Sequence, residues 1–151
     1  MVDPAVVSRK LRQIEQYHGE LREKQALSRD QFLDDVTEQR AVERMFENAI
    51  QACVDLAKHV ATREFGYRGD GSKEAIERLR ENGVVTDDTA ETLVDAAGFR
   101  NVLAHQYGEI EPDAVYEYLQ SELDVYDTFS RELADENADD GAFYEGLLEK
   151  F

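Results

Sequence analysis

The chain has no tryptophan, one cysteine and two prolines in 151 residues. A single cysteine, Cys53, excludes an intrachain disulfide and any metal site built from several cysteines. Both prolines, Pro4 and Pro112, fall where a helix can begin. No apolar run approaches membrane-spanning length. The opening "MVDPAVVSRK" lacks a basic start followed by a long apolar block, so no signal peptide is expected. These absences predict a cytoplasmic protein with no membrane partner. Lysine is also scarce, since the 17 basic residues are mostly arginine.

Acidic charge is abundant instead. Thirty-four Asp and Glu face 17 Lys and Arg, a formal net charge of −17. A dense carboxylate surface with little lysine suits a halophilic protein, in which salt screens the mutual repulsion. Two other readings are an acidic face for a basic partner and neutral drift. The distinction matters because bulk acidity argues against nucleic-acid binding unless it reflects the medium. The hydrophobic fraction of 42% suits a globular chain. The length suits one domain with a real core.

Apolar spacing reads as helix almost throughout. Asp3 and Pro4 supply a cap and a first-turn proline, and Val7, Leu11, Ile14, Tyr17 and Leu21 carry a helix over about 4–25. Ser28 and Gln31 form a possible capping box before Phe32, Leu33 and Val36. A long helix over about 37–65 has a wide apolar face that includes the small residues Ala49, Cys53 and Ala57. "GYRGDG" (66–71) is a loop without the Lys-Ser/Thr of a phosphate-binding P-loop. Ser72 is expected to cap a short helix that stops at Asn82-Gly83. Thr86, Asp87 and Asp88 open the next, which runs to Gly108. Glu111 and Pro112 open one last long helix to Leu133. "ADENADDG" (134–141) is a polar break. The expected division is a helical domain over 1–136 and a break with a short apolar tail over 137–151. The fold class is all-α, an antiparallel helical bundle.

The chemistry concentrates in "RNVLAHQYG" (100–108), since the chain has only three histidines. At about 100° per residue, Arg100 and Tyr107 share a helix face, and Asn101 and His105 form a neighbouring pair. Arg100 and His105 lie about 140° apart, so a straight helix does not bring them to one atom unless the long arginine reaches round. Either the last turn deforms, or a second chain completes the site. His105 in a last turn can hold a positive charge or exchange a proton. Arginine presents a planar fork suited to phosphate. Asn101 can orient the imidazole. The set suits a phosphodiester, with His105 moving protons and Arg100 stabilising charge. One histidine does not easily act as acid and base in one step, and a symmetric dimer removes that difficulty. The plain alternative is a capping histidine and a surface-paired arginine.

Elsewhere the signals are weaker. His59, with Lys58 and Arg63, either lines a cleft shared with the motif or is a half-buried structural histidine. His18 reads as a surface residue. His59 and Glu64 are five apart, and no His/Asp/Glu set has metal spacing. No metal and no cofactor are expected. Arg40, Arg44, Lys58, Arg63 and Arg68 are the remaining residues for a local basic patch.

"DAAGFRNVLAHQYGEI" (95–110) resembles the hallmark segment of HepT-like proteins, the DUF86 branch of the HEPN superfamily. Their signature is arginine, four residues, histidine, one residue, tyrosine, which Arg100, His105 and Tyr107 match. "FLDD" (32–35), "NAIQACVDLAKHV" (48–60) and "YEYLQ" (116–120) add to the likeness, which covers about residues 3–133. The resemblance implies an all-helical homodimer with both motifs lining one cleft. It further implies a metal-independent endoribonuclease toxin using 2′-hydroxyl attack on RNA. Its partner would be an MNT-type nucleotidyltransferase antitoxin that transfers AMP to Tyr107. A non-catalytic helical module that docks on a nucleotidyltransferase is the second reading.

Overall fold

Asp3 starts the first helix by accepting the Ala5 backbone N–H at 2.9 Å, with Pro4 in the first turn. The computed structural model describes residues 1–105 and 110–137. Its order is α1 (Pro4–Lys24), α2 (Arg29–Leu33), α3 (Val36–Phe65), α4 (Ser72–Glu81), α5 (Asp87–His105), α6 (Pro112–Ser121) and α7 (Asp124–Asn137). The capping box before α2 forms as expected. Ser28 Oγ accepts from Gln31 N at 3.1 Å, and Gln31 Oε1 accepts from Ser28 N at 2.8 Å. At the end of α3, Gly66 takes φ 67°, a left-handed cap that side chains disfavour.

The centre of the molecule is α3, which packs against all six other helices. Val42, Phe46, Ala49, Ile50, Cys53, Leu56, Ala57 and Val60 are fully enclosed. Each large side chain among them contributes about 1.5–3 kcal/mol through burial. The small residues Ala49, Cys53 and Ala57 all lie within this core.

Three expectations need correction. The last long helix is two, broken at Glu122–Leu123. The break lets α6 pack on α2 while α7 packs on α1 and α5, which one straight rod cannot do. Leu123 fills the joint and is buried. At α4 the N-cap is Gly71, with Ser72 already inside the helix and no side-chain cap bond. His18 is buried, not at the surface, and its ring lies 5.9 Å from that of Tyr126. The apolar stripe of α1 includes it because it is four residues from Ile14 and three from Leu21.

Between α2 and α6, Arg29 pairs with Asp113 and Glu117 and lies over the Tyr116 ring at 4.9 Å. Tyr116 donates its hydroxyl to the Leu27 carbonyl at 2.8 Å. These contacts fix the helix that follows the motif. At the other end of the chain, α7 continues to Asn137 with Ala134 fully enclosed. The apolar tail lies outside the described residues.

Candidate functional site

The motif is carried by α5, and that helix is secured at both ends by different chemistry. At its start Thr86 Oγ1 accepts from Thr89 N at 3.2 Å. Glu132 on α7 accepts from Thr86 N and from the Thr89 hydroxyl, both at 2.7 Å. A carboxylate here also suits the positive end of the helix dipole. Towards the motif, Phe99 stacks on Tyr118 of α6 at 4.1 Å and 21°. Phe46 of α3 meets both rings edge-on, at 5.7 Å to Phe99 and 5.1 Å to Tyr118. Burial, and then the carboxylates of Glu122 and Asp95, push the Tyr118 hydroxyl well above the usual tyrosine range.

Arg100, Asn101 and His105 follow on the same helix. Arg100 is half-buried, and its Nη1 donates to Asn101 Oδ1 at 3.3 Å. Its Nε is enclosed and has no hydrogen-bond partner among the described residues. Asn101 and His105 are exposed. Among the described residues no hydrogen bond joins Asn101 to His105, so Asn101 steadies the arginine in this arrangement. The helix stays regular through His105. The angular offset between Arg100 and His105 is therefore kept, and each chain offers them on different faces. Tyr107 lies outside the described residues.

The other candidates sit elsewhere. His59 Nε2 accepts the Asp3 backbone N–H at 3.1 Å, so this imidazole fastens the start of α1. It lies about 20 Å along the α3 axis from Phe46, the residue that meets the motif end of α5. Burial, then Arg63, push its protonation below the usual histidine range, with Asp3 opposing. The Arg63 carbonyl accepts the Met1 amine at 2.9 Å, and Lys58 is half-buried on the same stretch of helix. The residues considered for a local basic patch are spread along the chain. Arg40 and Arg63 are about 35 Å apart along α3, and Arg40 is paired with Glu43 at 2.7 Å. Cys53 is enclosed, and burial raises its thiol far above the ordinary range. Among the described residues no group of His, Cys, Asp and Glu is arranged to hold a metal ion. None of the described helices is long and apolar enough to cross a membrane. Sequence reasoning missed the Phe46–Phe99–Tyr118 cluster. Its signal was available in Phe99, an aromatic residue directly before the motif arginine.

The fold defines the class as a small all-helical bundle, with an arginine and a histidine, side chains suited to a phosphate, near the end of one helix. The family model for HepT-like ribonucleases matches residues 9–133. The chain belongs to the HepT-like ribonuclease family. It is 24% identical over 132 residues to a tRNA nuclease HepT of Aphanizomenon flos-aquae, covering 87% of this chain and 90% of that one. It is 26% identical over 125 residues to an mRNA nuclease HepT of Shewanella oneidensis, covering 83% and 88%. Its fold matches that of a tri-AMPylated Shewanella oneidensis HEPN toxin solved in complex with an MNT antitoxin. The TM-score is 0.78, with 23% identity over 88% of this chain and 98% of that one. A second solved toxin–antitoxin, with AMP-PNP, also gives a TM-score of 0.78, at 22% identity over 88% and 99%.

Proposed function

We propose that this chain is the toxin of a toxin–antitoxin pair, an endoribonuclease whose cleft is lined by the motifs of two chains. The observation that carries this reading is the regular helix through His105. It leaves Arg100 and His105 on different faces of one chain, and a two-fold axis places both types at one phosphate. One copy of His105 takes the proton from the RNA 2′-hydroxyl as the 2′-oxygen bonds to phosphorus. The bond from phosphorus to the 5′-oxygen breaks, and the second copy, as imidazolium, gives its proton to that oxygen. The products are a cyclic phosphate and a 5′-hydroxyl end. Arg100 stabilises charge on the non-bridging oxygens, and Asn101 holds Arg100 in place.

Tyr107 is the control point. AMP transferred to it by an MNT-type nucleotidyltransferase adds bulk and negative charge two residues from His105, and both oppose RNA entry. The tri-AMPylated solved relative supports AMP transfer as the mode of control. The functional unit is the helical domain over 1–136, acting in the cytoplasm as a homodimer on RNA, with no metal.

The test is cleavage of RNA by the pure chain in chelator and in high potassium chloride. His105→Ala and Arg100→Ala should each remove cleavage while the dimer persists by light scattering. Cleavage retained in both variants would sink the assignment. The second reading is a non-catalytic module that docks on a nucleotidyltransferase. It is favoured by the dispersal of the basic residues along α3. It predicts no cleavage at any salt concentration.

A further inference from the structure

The segment of α5 that carries the motif is weak on its own account. Gly98 sits inside the helix two residues before Arg100, and a Cβ placed there would meet nothing within 4 Å. Glycine in a helix interior loosens it relative to alanine. From Gly98 to His105 only Leu103 is fully enclosed. The Phe99 ring adds to the hold on this segment, stacked on Tyr118 with Phe46 edge-on to both. Tyr118 therefore lies alongside α5 at the turn that follows the glycine.

We propose that Tyr118 is a positioning residue for the ribonuclease reaction, a splint that holds the turn after Gly98 and sets the direction of Arg100. Packing of Phe46 edge-on against both stacked rings makes the splint continuous with the core. The enclosed Nε of Arg100 shows why direction matters. A side chain seated that far into the protein cannot swing freely to recover a lost approach to phosphate. Leucine at 118 would fill part of the volume without the flat stack. Alanine at 98 would restore helix stiffness without touching the rings, because the space beside Gly98 is open.

The proposal rests on the ribonuclease reading for its activity readout, so exchange of backbone amides is measured in parallel. Tyr118→Leu should speed hydrogen exchange over residues 98–105 and lower kcat by about tenfold, the rate equivalent of one aromatic pair, with KM little changed. Tyr118→Phe, which keeps the ring, should return both towards the parent. Gly98→Ala added to Tyr118→Leu should restore slow exchange and most of kcat. If Tyr118→Leu does not fold, Gly98→Ala alone should still slow exchange over 98–105. Exchange there that is unchanged by Tyr118→Leu, or not slowed by Gly98→Ala, overturns the splint. If no variant cleaves RNA but exchange follows this pattern, the splint stands and the ribonuclease reading fails.

Discussion

Glu132 offers the sharpest stability prediction, because one carboxylate closes the start of the motif helix. It accepts the Thr86 N–H with one oxygen and the Thr89 hydroxyl with the other, each at 2.7 Å. Thr86 in turn donates its hydroxyl to Thr89 Oγ1 at 3.0 Å. Removing the carboxylate leaves both donors to water or unmade. Charged hydrogen bonds contribute about 1.5–3 kcal/mol when buried. Glu132 is only half-buried, so about 1 kcal/mol for each bond is the fair figure after screening. Glu132→Ala should then lose about 2 kcal/mol, including the helix-dipole contribution. For a domain of this size that lowers Tm by about 4–8 °C. Glu132→Gln keeps one acceptor and should lose roughly half as much. Thermal unfolding by circular dichroism at moderate salt reads both. A Glu132→Ala Tm within about 1 °C of the parent would refute this account of the cap.

Three further outcomes follow from the same geometry. His18 is held neutral by burial, the largest influence, against the opposing carboxylates of Glu15, Asp127 and Asp124 and with the aid of Arg22. Its folded pKa lies below the unfolded value, so the unfolded chain binds more protons. Stability is therefore complete above pH 6.5 and falls as pH drops from there through the folded value. Urea titrations across pH 5–7 should show this slope, and His18→Gln should flatten it; an unchanged slope contradicts the burial argument. Cys53 should resist a thiol reagent in the folded state and react at once in denaturant, since its thiolate is suppressed by burial. Rapid native labelling would contradict that. With a formal charge of −17, Tm should rise with added potassium chloride as repulsion is screened; a falling Tm would remove the halophilic reading.

The helices of this fold were legible because their signals are local. Asp3–Pro4, the Ser28–Gln31 box and the apolar stripe of α3 each act within a few residues, and each appears where its chemistry puts it. The break at Glu122–Leu123 was not legible. Its cause is that α6 and α7 pack on different helices, and an apolar pattern over 115–133 does not register a change of partner. His18 was misplaced for a related reason. Polarity suggested surface, while its spacing from Ile14 and Leu21 put it in the stripe. At the candidate site, the motif identified Arg100, Asn101 and His105, and their angular offset followed from helix geometry alone. Of the aromatic cluster only Phe99, directly before the motif arginine, gave a local signal, because Phe46 and Tyr118 come from two other helices that the tertiary fold brings to it.

If one cleft needs the motifs of two chains, mixed dimers reveal it. Wild-type and His105→Ala chains are unfolded together, refolded at varied ratios and assayed for RNA cleavage at fixed total protein. If acid and base are the two copies of His105, activity follows the square of the wild-type fraction, about one quarter of full rate at equal mixing. A straight line through the mixtures, with about half the rate at equal mixing, would show that each chain cleaves alone and would contradict the two-chain site.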